Sequence, residues 1–250
     1  MRNLKSVIAA GGLGTRLQNF RGNESTKILL DVLGVPMIVH QINQLRKWGC
    51  SEFVLITNPD FGNLIEGVTT KAFPNLDFKF AIQNEPKGIS HALKQSSNFI
   101  NDNEKILFIL GDNFFEHNPL ENFDQNEFEK GAFIFTKSVK NPEEFGVAQM
   151  DLDGNVISIE EKPKKPKSDQ AVVGVYMFDE TVFEKISKLQ PSKRGEYEIT
   201  DLNNLYLKED LLNIELIDEN SYWLDAGTKD SLLESSNIVK ELKDKNIELY

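Results

Sequence analysis

Short apolar segments alternate with segments of helical periodicity along the first 140 residues of the chain. Runs rich in β-branched and aromatic residues predict strands over residues 4–10, 52–58, 78–83, 105–111 and 132–138. Pro36 and Gly49 stand where a helix over residues 36–49 would begin and end, and a second helix is expected over residues 88–100. This alternation predicts an α/β fold with a mainly parallel central sheet flanked by helices.

The pattern changes after about residue 140. Three strand-like segments follow one another at residues 145–151, 155–161 and 171–178. Two helical patterns come after them, at residues 199–209 and 230–245. Because no segment rich in Pro, Gly or Ser divides the chain, we expect a single domain over residues 1–250, in which a smaller mixed β sub-region extends the same sheet.

Composition and charge narrow the function classes. The chain has 250 residues, of which 40% are hydrophobic and 27% charged, and its formal net charge is −11. This acidic balance argues against nucleic acid or an anionic membrane as a main partner, since both need a basic surface. No apolar run approaches the length of about 18 residues that a membrane span needs, and we expect a cytoplasmic protein. The single cysteine, Cys50, excludes an internal disulfide.

A glycine-rich segment follows the first predicted strand and ends in an arginine, Gly11 to Arg16. Glycines at this place allow backbone N–H groups to surround an anion, and a guanidinium adds a planar donor, so phosphate is the ligand that this pattern favours. The segment does not contain the phosphate-binding motif G-x-x-x-x-G-K-[ST]. It does not fit the dinucleotide-binding motif G-x-G-x-x-G either, because Leu17 takes the place of the third glycine. The alternative is a tight connection with an exposed arginine.

Two aspartates stand at similar places in the pattern. Asp112 ends a predicted apolar strand, and Asp225 also has apolar residues before it and small residues after it. If the two carboxylates converge, they form an oxygen site suited to Mg²⁺; separately, each would only shape a turn. Lys162 follows Glu160 and Glu161 at the end of a predicted strand, where it is either a second phosphate ligand or a surface charge.

Eight segments are informative when they are read together in chain order: GGLGTRL, STKILL, QNEPKGI, LGDNFF, FGVAQMD, EEKPKKPKSDQAVVGVYMFD, RGEYEITDLNNLYL and WLDAGTKDSLLE. From Lys5 to about Lys240 the chain resembles the sugar-1-phosphate nucleotidyltransferases, most closely their glucose-1-phosphate thymidylyltransferase branch. The resemblance implies a Rossmann-like sheet with a nucleotide-binding part at about 1–140, a sugar-phosphate-binding part at about 141–228 and a C-terminal helix at about 229–245. It also implies Mg²⁺-dependent, in-line transfer of a nucleotidyl group from a nucleoside triphosphate, with dTTP the expected donor, to a hexose 1-phosphate, with glucose 1-phosphate the expected acceptor.

The resemblance assigns roles to single residues. Those implied to act in catalysis are Arg16, Lys27, Asp112 and Lys162. Those implied to bind the nucleotide are Gly11, Gly12, Gly14, Thr15, Gln83, Pro86, Gly88 and Asp112. Those implied to form the sugar-phosphate pocket are Gly146, Glu161, Lys162, Val172, Tyr176, Arg194 and Trp223. The implied Mg²⁺ ligands are Asp112 and Asp225.

Several positions depart from the family pattern, and they leave alternatives open. Phe145 stands where relatives often have tyrosine, and Ser90 and His91 change the surroundings of the base-binding segment. The same reaction with UTP or another sugar phosphate, and a non-catalytic protein that binds nucleotide sugars, are the alternatives. His40 and His91 fall within predicted helices and are interpreted as packing residues. The sequence leaves open whether the chain forms a homo-oligomer.

Overall fold

The structure is a computed structural model, and it describes residues 4–12, 26–121, 123, 128–226 and 229–244. Gly14, Thr15 and Arg16 lie outside the described residues. In chain order the described strands are β1 (Leu4–Ala9), β2 (Asp31–Val32), β3 (Val35–Pro36), β4 (Phe53–Thr57), β5 (Phe78–Ile82), β6 (Lys105–Leu110), β7 (Asn113–Phe115), β8 (Ala132–Ser138), β9 (Gly146–Met150), β10 (Val156–Glu161), β11 (Gln170–Phe178), β12 (Leu212–Leu216) and β13 (Trp223–Asp225). The helices are α1 (Met37–Lys47), α2 (Gly62–Ala72), α3 (Ile89–Lys94), α4 (Val182–Lys188), α5 (Ile199–Lys208) and α6 (Lys229–Asp244).

Among the described residues, a large sheet of nine strands forms the centre of the molecule. Its main path runs β10-β9-β11-β6-β1-β4-β5, and β8 and β12 join beside β11. β1 pairs in parallel with β4 and β6, and β4 pairs in parallel with β5. The long strand β11 pairs antiparallel with β6, β8 and β9, so it connects the parallel part with the second sub-region. The predicted mainly parallel central sheet flanked by helices is confirmed.

Helices cover both faces of this sheet. Along β1, Val7 packs on one face with α3, α4 and α5, whereas Ile8 packs on the other face with α1 and α2. Because successive strand residues point to opposite faces, a strand covered on both sides must be apolar throughout. All five residues of β4 are buried, which accounts for its continuous apolar run. The helices leave the carboxyl ends of the parallel strands open.

Most predicted elements are observed within one or two residues of their expected limits, but the helix expected over residues 88–100 is shorter. α3 ends at Lys94, and a 3-10 turn over Ser97–Phe99 follows it. Ser96 donates its hydroxyl hydrogen to the carbonyl oxygen of Leu93 at 2.7 Å. Such bonds between serine side chains and nearby backbone groups compete with continued helix formation.

Other elements were not predicted: α2, α4, β12 and the short ribbons β2–β3 and β7–β13. α2 contains glycine and threonine, which are weak helix formers, so its helical pattern is faint. The strands of the β7–β13 ribbon have three residues each, too few to show alternation. No helix in the described ranges is long and apolar enough to cross a membrane.

Candidate active site

A cavity of about 290 Å³ opens at the carboxyl ends of β1, β5 and β6. Ligands of open α/β sheets bind at this edge, because the connections that follow the strands meet there. Within the described residues, the cavity is lined by every residue predicted to bind the nucleotide and by Lys27, which was predicted to act in catalysis: Gly11, Gly12, Lys27, Gln83, Pro86, Gly88 and Asp112. We call it the nucleotide cavity.

Gly11 and Gly12, the described start of the glycine segment, are held in place by their carbonyl oxygens. Asn58 donates from Nδ2 to the carbonyl oxygen of Gly11 at 2.9 Å, and Thr26 donates from Oγ1 to that of Gly12 at 3.3 Å. Neither Gly11 nor Gly12 donates its backbone N–H to an acceptor in the described part of the chain. With the acceptors engaged and the donors available, this segment suits an anion such as phosphate.

Lys27 and Asp112 form an ion pair inside the nucleotide cavity. Lys27 begins a 3-10 turn over Lys27–Leu29 and is only 9% exposed. Asp112 follows β6, and its Oδ1 accepts a hydrogen bond from Asn113 Nδ2 at 2.9 Å. The pair places a buried cation in the wall of the same cavity that Gly11 and Gly12 line.

The predicted base-binding segment is built around Gln83 and Gly88. Gln83 donates its backbone N–H to the carbonyl oxygen of Thr57 at 2.8 Å, which fixes the start of the segment beyond β5. Gly88 has a φ of 103°, and a Cβ at this position would lie 2.7 Å from the carbonyl oxygen of Tyr197. A side chain is therefore excluded at Gly88 both by the backbone conformation and by the contact.

A second, smaller cavity adjoins the first and shares Ile89 and Leu110 with it. We call it the sugar cavity. It brings together most of the residues predicted for the sugar phosphate, and Asp225 with them: Gly146, Glu161, Lys162, Val172, Tyr176, Trp223 and Asp225. Arg194 lies outside its wall and reaches Glu161 at 3.5 Å and Glu196 at 2.8 Å. Arg194 is thus placed to orient a wall residue rather than to line the cavity.

Glu161 ends β10, Lys162 follows it, and both line the sugar cavity. Thr200 donates from Oγ1 to Glu161 Oε2 at 2.6 Å, which orients the carboxylate. Lys162 has a φ of 45°, which is uncommon for a residue other than glycine. Its backbone N–H is held by the carbonyl oxygen of Phe145 at 2.9 Å, and its ammonium makes no ion pair with any described residue. The exposed ammonium is therefore available to an anion.

Asp112 and Asp225 are brought together by the β7–β13 ribbon. Asp225 lies opposite Asn113 in this ribbon, and the N–H of Ala226 donates to the carbonyl oxygen of Asp112 at 2.9 Å. One aspartate lines the nucleotide cavity and the other lines the sugar cavity. The backbone pairing therefore makes the two aspartates neighbours, each in the wall of one of the two adjoining cavities.

Comparisons with known proteins place this site in a family. The model for the nucleotidyl transferase family matches residues 5–241. The chain belongs to this family. A glucose-1-phosphate thymidylyltransferase of Mycolicibacterium smegmatis is 36% identical over 243 residues, which are 96% of this chain and 83% of that protein. A glucose-1-phosphate thymidylyltransferase of Neisseria meningitidis is 35% identical over 96% of this chain and 84% of its own length.

Two solved structures resemble this nucleotidyl transferase. One, from Bacillus anthracis in complex with a sucrose, is assigned as a glucose-1-phosphate thymidylyltransferase; it has a TM-score of 0.85 and 35% identity, and covers 95% of this chain and 96% of its own. The other, a UDP-glucose pyrophosphorylase with UDP-glucose, has a TM-score of 0.79 at 22% identity, and covers 95% of this chain and 98% of its own. The second likeness shows the fold alone.

Asn113 is a residue of this nucleotidyl transferase site that sequence reasoning missed. Its Oδ1 accepts hydrogen bonds from Trp223 Nε1 at 2.8 Å and from the backbone N–H of Gly174 at 3.1 Å. A Cβ on Gly174 would lie 2.5 Å from that oxygen, so only glycine fits there. Asn113 thereby ties Asp112 to the far wall of the sugar cavity. Its position directly after a strand-end aspartate was the one available signal.

The two histidines interpreted as packing residues have different surroundings. His40 is buried, and its Nε2 lies 2.8 Å from the carbonyl oxygen of Val32, as expected for a residue with a structural role. His91 instead has its Nδ1 3.0 Å from Nε2 of Gln83, a residue of the nucleotide cavity. Its interpretation as a packing residue is therefore incomplete.

The charges of the site fit a divalent ion bound together with phosphate. No three His, Cys, Asp or Glu side chains converge as metal ligands in the ranges that the structure describes. Asp112 and Asp225 supply two carboxylates, and an ion that takes its remaining ligands from water and phosphate needs no more. Burial raises the pKa of Tyr176 far above its usual value, and the charges of Glu161, Asp112 and Asp225 raise it further. Its hydroxyl therefore stays protonated.

Proposed function

We propose that this chain transfers a deoxythymidylyl group from dTTP to glucose 1-phosphate and releases pyrophosphate. The observation that carries the proposal is the pair of adjoining cavities. Asp112 and Lys27 stand in the nucleotide cavity, and Asp225 and Lys162 stand in the sugar cavity. The relatives that share about 35% identity over nearly the whole chain carry the name of this activity.

The reaction joins two anions. A phosphate oxygen of glucose 1-phosphate attacks the α-phosphorus of dTTP, the bond from that phosphorus to its bridging oxygen breaks, and pyrophosphate leaves. Because the attacking oxygen is already ionised, no side chain has to act as nucleophile or general base. The protein must position the reactants and offset their charge.

Each cationic side chain binds a different phosphate group of the reactants. Lys162 holds the attacking phosphate, since its ammonium is exposed at the mouth of the sugar cavity. Lys27 and the glycine segment hold the triphosphate, and Arg16, which lies outside the described residues, holds the departing pyrophosphate. On the sugar side, Glu161 accepts hydrogen bonds from hydroxyl groups of the hexose. The buried Tyr176 forms the floor.

Asp112 and Asp225 would hold Mg²⁺. When bound, the ion neutralises charge on the phosphate oxygens and withdraws electrons from the α-phosphorus. The ion pair between Lys27 and Asp112 keeps the carboxylate of Asp112 within the nucleotide cavity. Asn113 holds its other oxygen, so the side chain is oriented before the ligands arrive.

The proposal also includes a single domain and a cytoplasmic location. Pairing of β11 with strands of both parts supports a single domain. Because nucleoside triphosphates are made and used in the cytoplasm, the reaction belongs there.

Pyrophosphate release tests the function. The purified protein with Mg²⁺, dTTP and glucose 1-phosphate should release one pyrophosphate for each nucleotide sugar formed. A matched reaction with Lys162→Met keeps an unbranched side chain one atom shorter and removes its charge, and it should be slower by about 10²–10³-fold, the loss measured for one preorganised donor. UTP, dCTP and dATP, each with glucose 1-phosphate and with other hexose phosphates, complete the panel. If no combination of triphosphate and hexose phosphate releases pyrophosphate, the proposal is rejected. Binding of these ligands without turnover would favour a regulatory protein.

A further inference from the structure

The amide of Gln83 has a defined orientation. Its Nε2 lies 3.2 Å from the carbonyl oxygen of Gly88 and 3.0 Å from Nδ1 of His91. A carbonyl oxygen only accepts, so the atom that faces Gly88 must be the NH₂ group. The second N–H of that group points to His91. Nδ1 of His91 is therefore the acceptor, and the ring carries its proton on Nε2.

The other end of the amide is left without a described partner. Gln83 lines the nucleotide cavity, and its Oε1 accepts no hydrogen bond from the residues that the structure describes. A carbonyl oxygen presented to a base pairs with the imide N–H of thymine or uracil. Cytosine has an unprotonated ring nitrogen at this place and would need a donor.

We propose that His91 is a positioning residue for base selection: by accepting from Gln83, it fixes the amide with its oxygen toward the base and so favours thymine over cytosine. The inference rests on the proposed function for the identity of the ligand. Without His91, Gly88 alone holds the NH₂ group, and the amide turns more easily to present its nitrogen. Such a turned amide fits cytosine.

The surroundings of His91 keep its ring neutral. Burial lowers the pKa of His91 and the charges of Lys87 and Lys94 lower it further, whereas a hydrogen bond to the backbone of Glu85 and the charge of Glu85 raise it. The rings of Tyr197 and His91 are stacked, with their centroids 6.1 Å apart. From α4, the uncharged residues Ile186 and Ser187 line the cavity beside the His91 ring. The Gln95 amide nitrogen competes as a donor to Nε2 at 3.4 Å, but it already donates to the carbonyl oxygen of His91 at 2.9 Å, and the shorter contact of 3.0 Å between Gln83 Nε2 and Nδ1 decides the tautomer. Nδ1 thus remains the acceptor near neutral pH.

Two variants separate the acceptor from the ring. His91→Phe keeps a ring against Tyr197 and removes the acceptor, whereas His91→Asn removes the ring and places an amide oxygen near Nδ1. The readout is the ratio of kcat/KM for dTTP to kcat/KM for dCTP, measured by pyrophosphate release. We expect this ratio to fall about two- to tenfold in His91→Phe, the worth of one neutral hydrogen bond, and to be retained in His91→Asn. An unchanged ratio in His91→Phe, or an equal loss in both variants, overturns the proposal.

A pH profile provides a second readout. Protonation of His91 would place a donor against the NH₂ group of Gln83, so the wild-type ratio should fall as the pH drops below the His91 pKa. In His91→Asn the ratio should not change over this range, and in His117→Asn, which alters an exposed histidine, it should follow the wild type. A parallel fall in His91→Asn would contradict the proposal.

The tautomer can be measured without turnover. In the free wild-type protein, ¹⁵N NMR of the histidine rings should show His91 with an unprotonated Nδ1 and a protonated Nε2. The opposite tautomer overturns the positioning role, whatever the enzyme does. If the tautomer is as expected and no triphosphate reacts, the proposed function fails while the contact stands. The two failures are therefore distinguishable.

Discussion

Replacing Asn113 with aspartate probes the connection between the two cavities. Asn113 is 2% exposed; its Oδ1 accepts from Trp223 and Gly174, and its Nδ2 donates to Asp112. Aspartate keeps both acceptor contacts but replaces the donor with a second carboxylate oxygen that faces Asp112. A hydrogen bond to a charged group contributes about 1.5–3 kcal/mol, so the free energy of unfolding at pH 8 should fall by at least about 2 kcal/mol.

The loss caused by Asn113→Asp should depend on pH. The buried position and the nearby negative charge of Asp112 raise the folded-state pKa of the introduced carboxyl above its unfolded value. A carboxyl with a raised folded pKa destabilises the protein increasingly as the pH rises through the window between the two values. The deficit should therefore shrink when the pH falls toward 5, because the protonated carboxyl again donates to Asp112.

Urea unfolding at several pH values measures this effect. Asn213→Asp, which adds the same charge at an exposed position of β12, is the matched control and should change the unfolding free energy little. Asn113→Ala should lose about 2–6 kcal/mol at every pH, because it leaves the buried N–H of Gly174 and the partly buried indole N–H of Trp223 unpaired. A deficit in Asn113→Asp that is absent, or that is equal at pH 5 and pH 8, would refute the reasoning.

Further predictions concern the walls of the two cavities. Lys162→Gly should raise the unfolding free energy by about 0.5–1 kcal/mol, because it relieves a positive φ, while turnover is lost; urea unfolding and pyrophosphate release measure the two effects. Thr200→Val should raise KM for glucose 1-phosphate about two- to tenfold through the lost hydrogen bond to Glu161, and steady-state kinetics with dTTP saturating would contradict this if KM were unchanged. Burial raises the pKa of Glu198, while Ser192 and Arg194 oppose the shift, so its ionisation costs stability as the pH rises. Glu198→Gln should therefore lose less stability than the wild type between pH 4 and pH 8 in urea titrations, and a steeper loss would disprove it.

The sequence allowed prediction of the parts of the site that depend on strand ends. Gly11, Gln83 and Asp112 each follow a parallel strand that has a clear apolar run, and the carboxyl ends of parallel strands lie at one edge of a sheet. Once the strands were located, a shared cavity followed from topology. The specific roles came from the resemblance, since a glycine segment or a strand-end aspartate alone is also compatible with a simple turn.

The contacts between distant residues could not be predicted. Asn113 meets Gly174 across 61 positions and Trp223 across 110, through a ribbon too short to show a strand pattern. The contact between His91 and Gln83 depends on where a short helix begins after the positive φ of Gly88. In both cases hydrogen-bond geometry decides the role, and periodicity carries no information about it.

In the proposed reaction, the two cavities form a single continuous site for nucleotide and sugar phosphate. The measurement that tests it most directly is a crystal structure of the protein with dTDP-glucose and Mg²⁺. We expect the thymine beside Gln83, the hexose beside Glu161, and the diphosphate crossing the boundary formed by Ile89 and Leu110, with Asp112 and Asp225 at the ion. A product bound elsewhere, or one that leaves the sugar cavity empty, would contradict it.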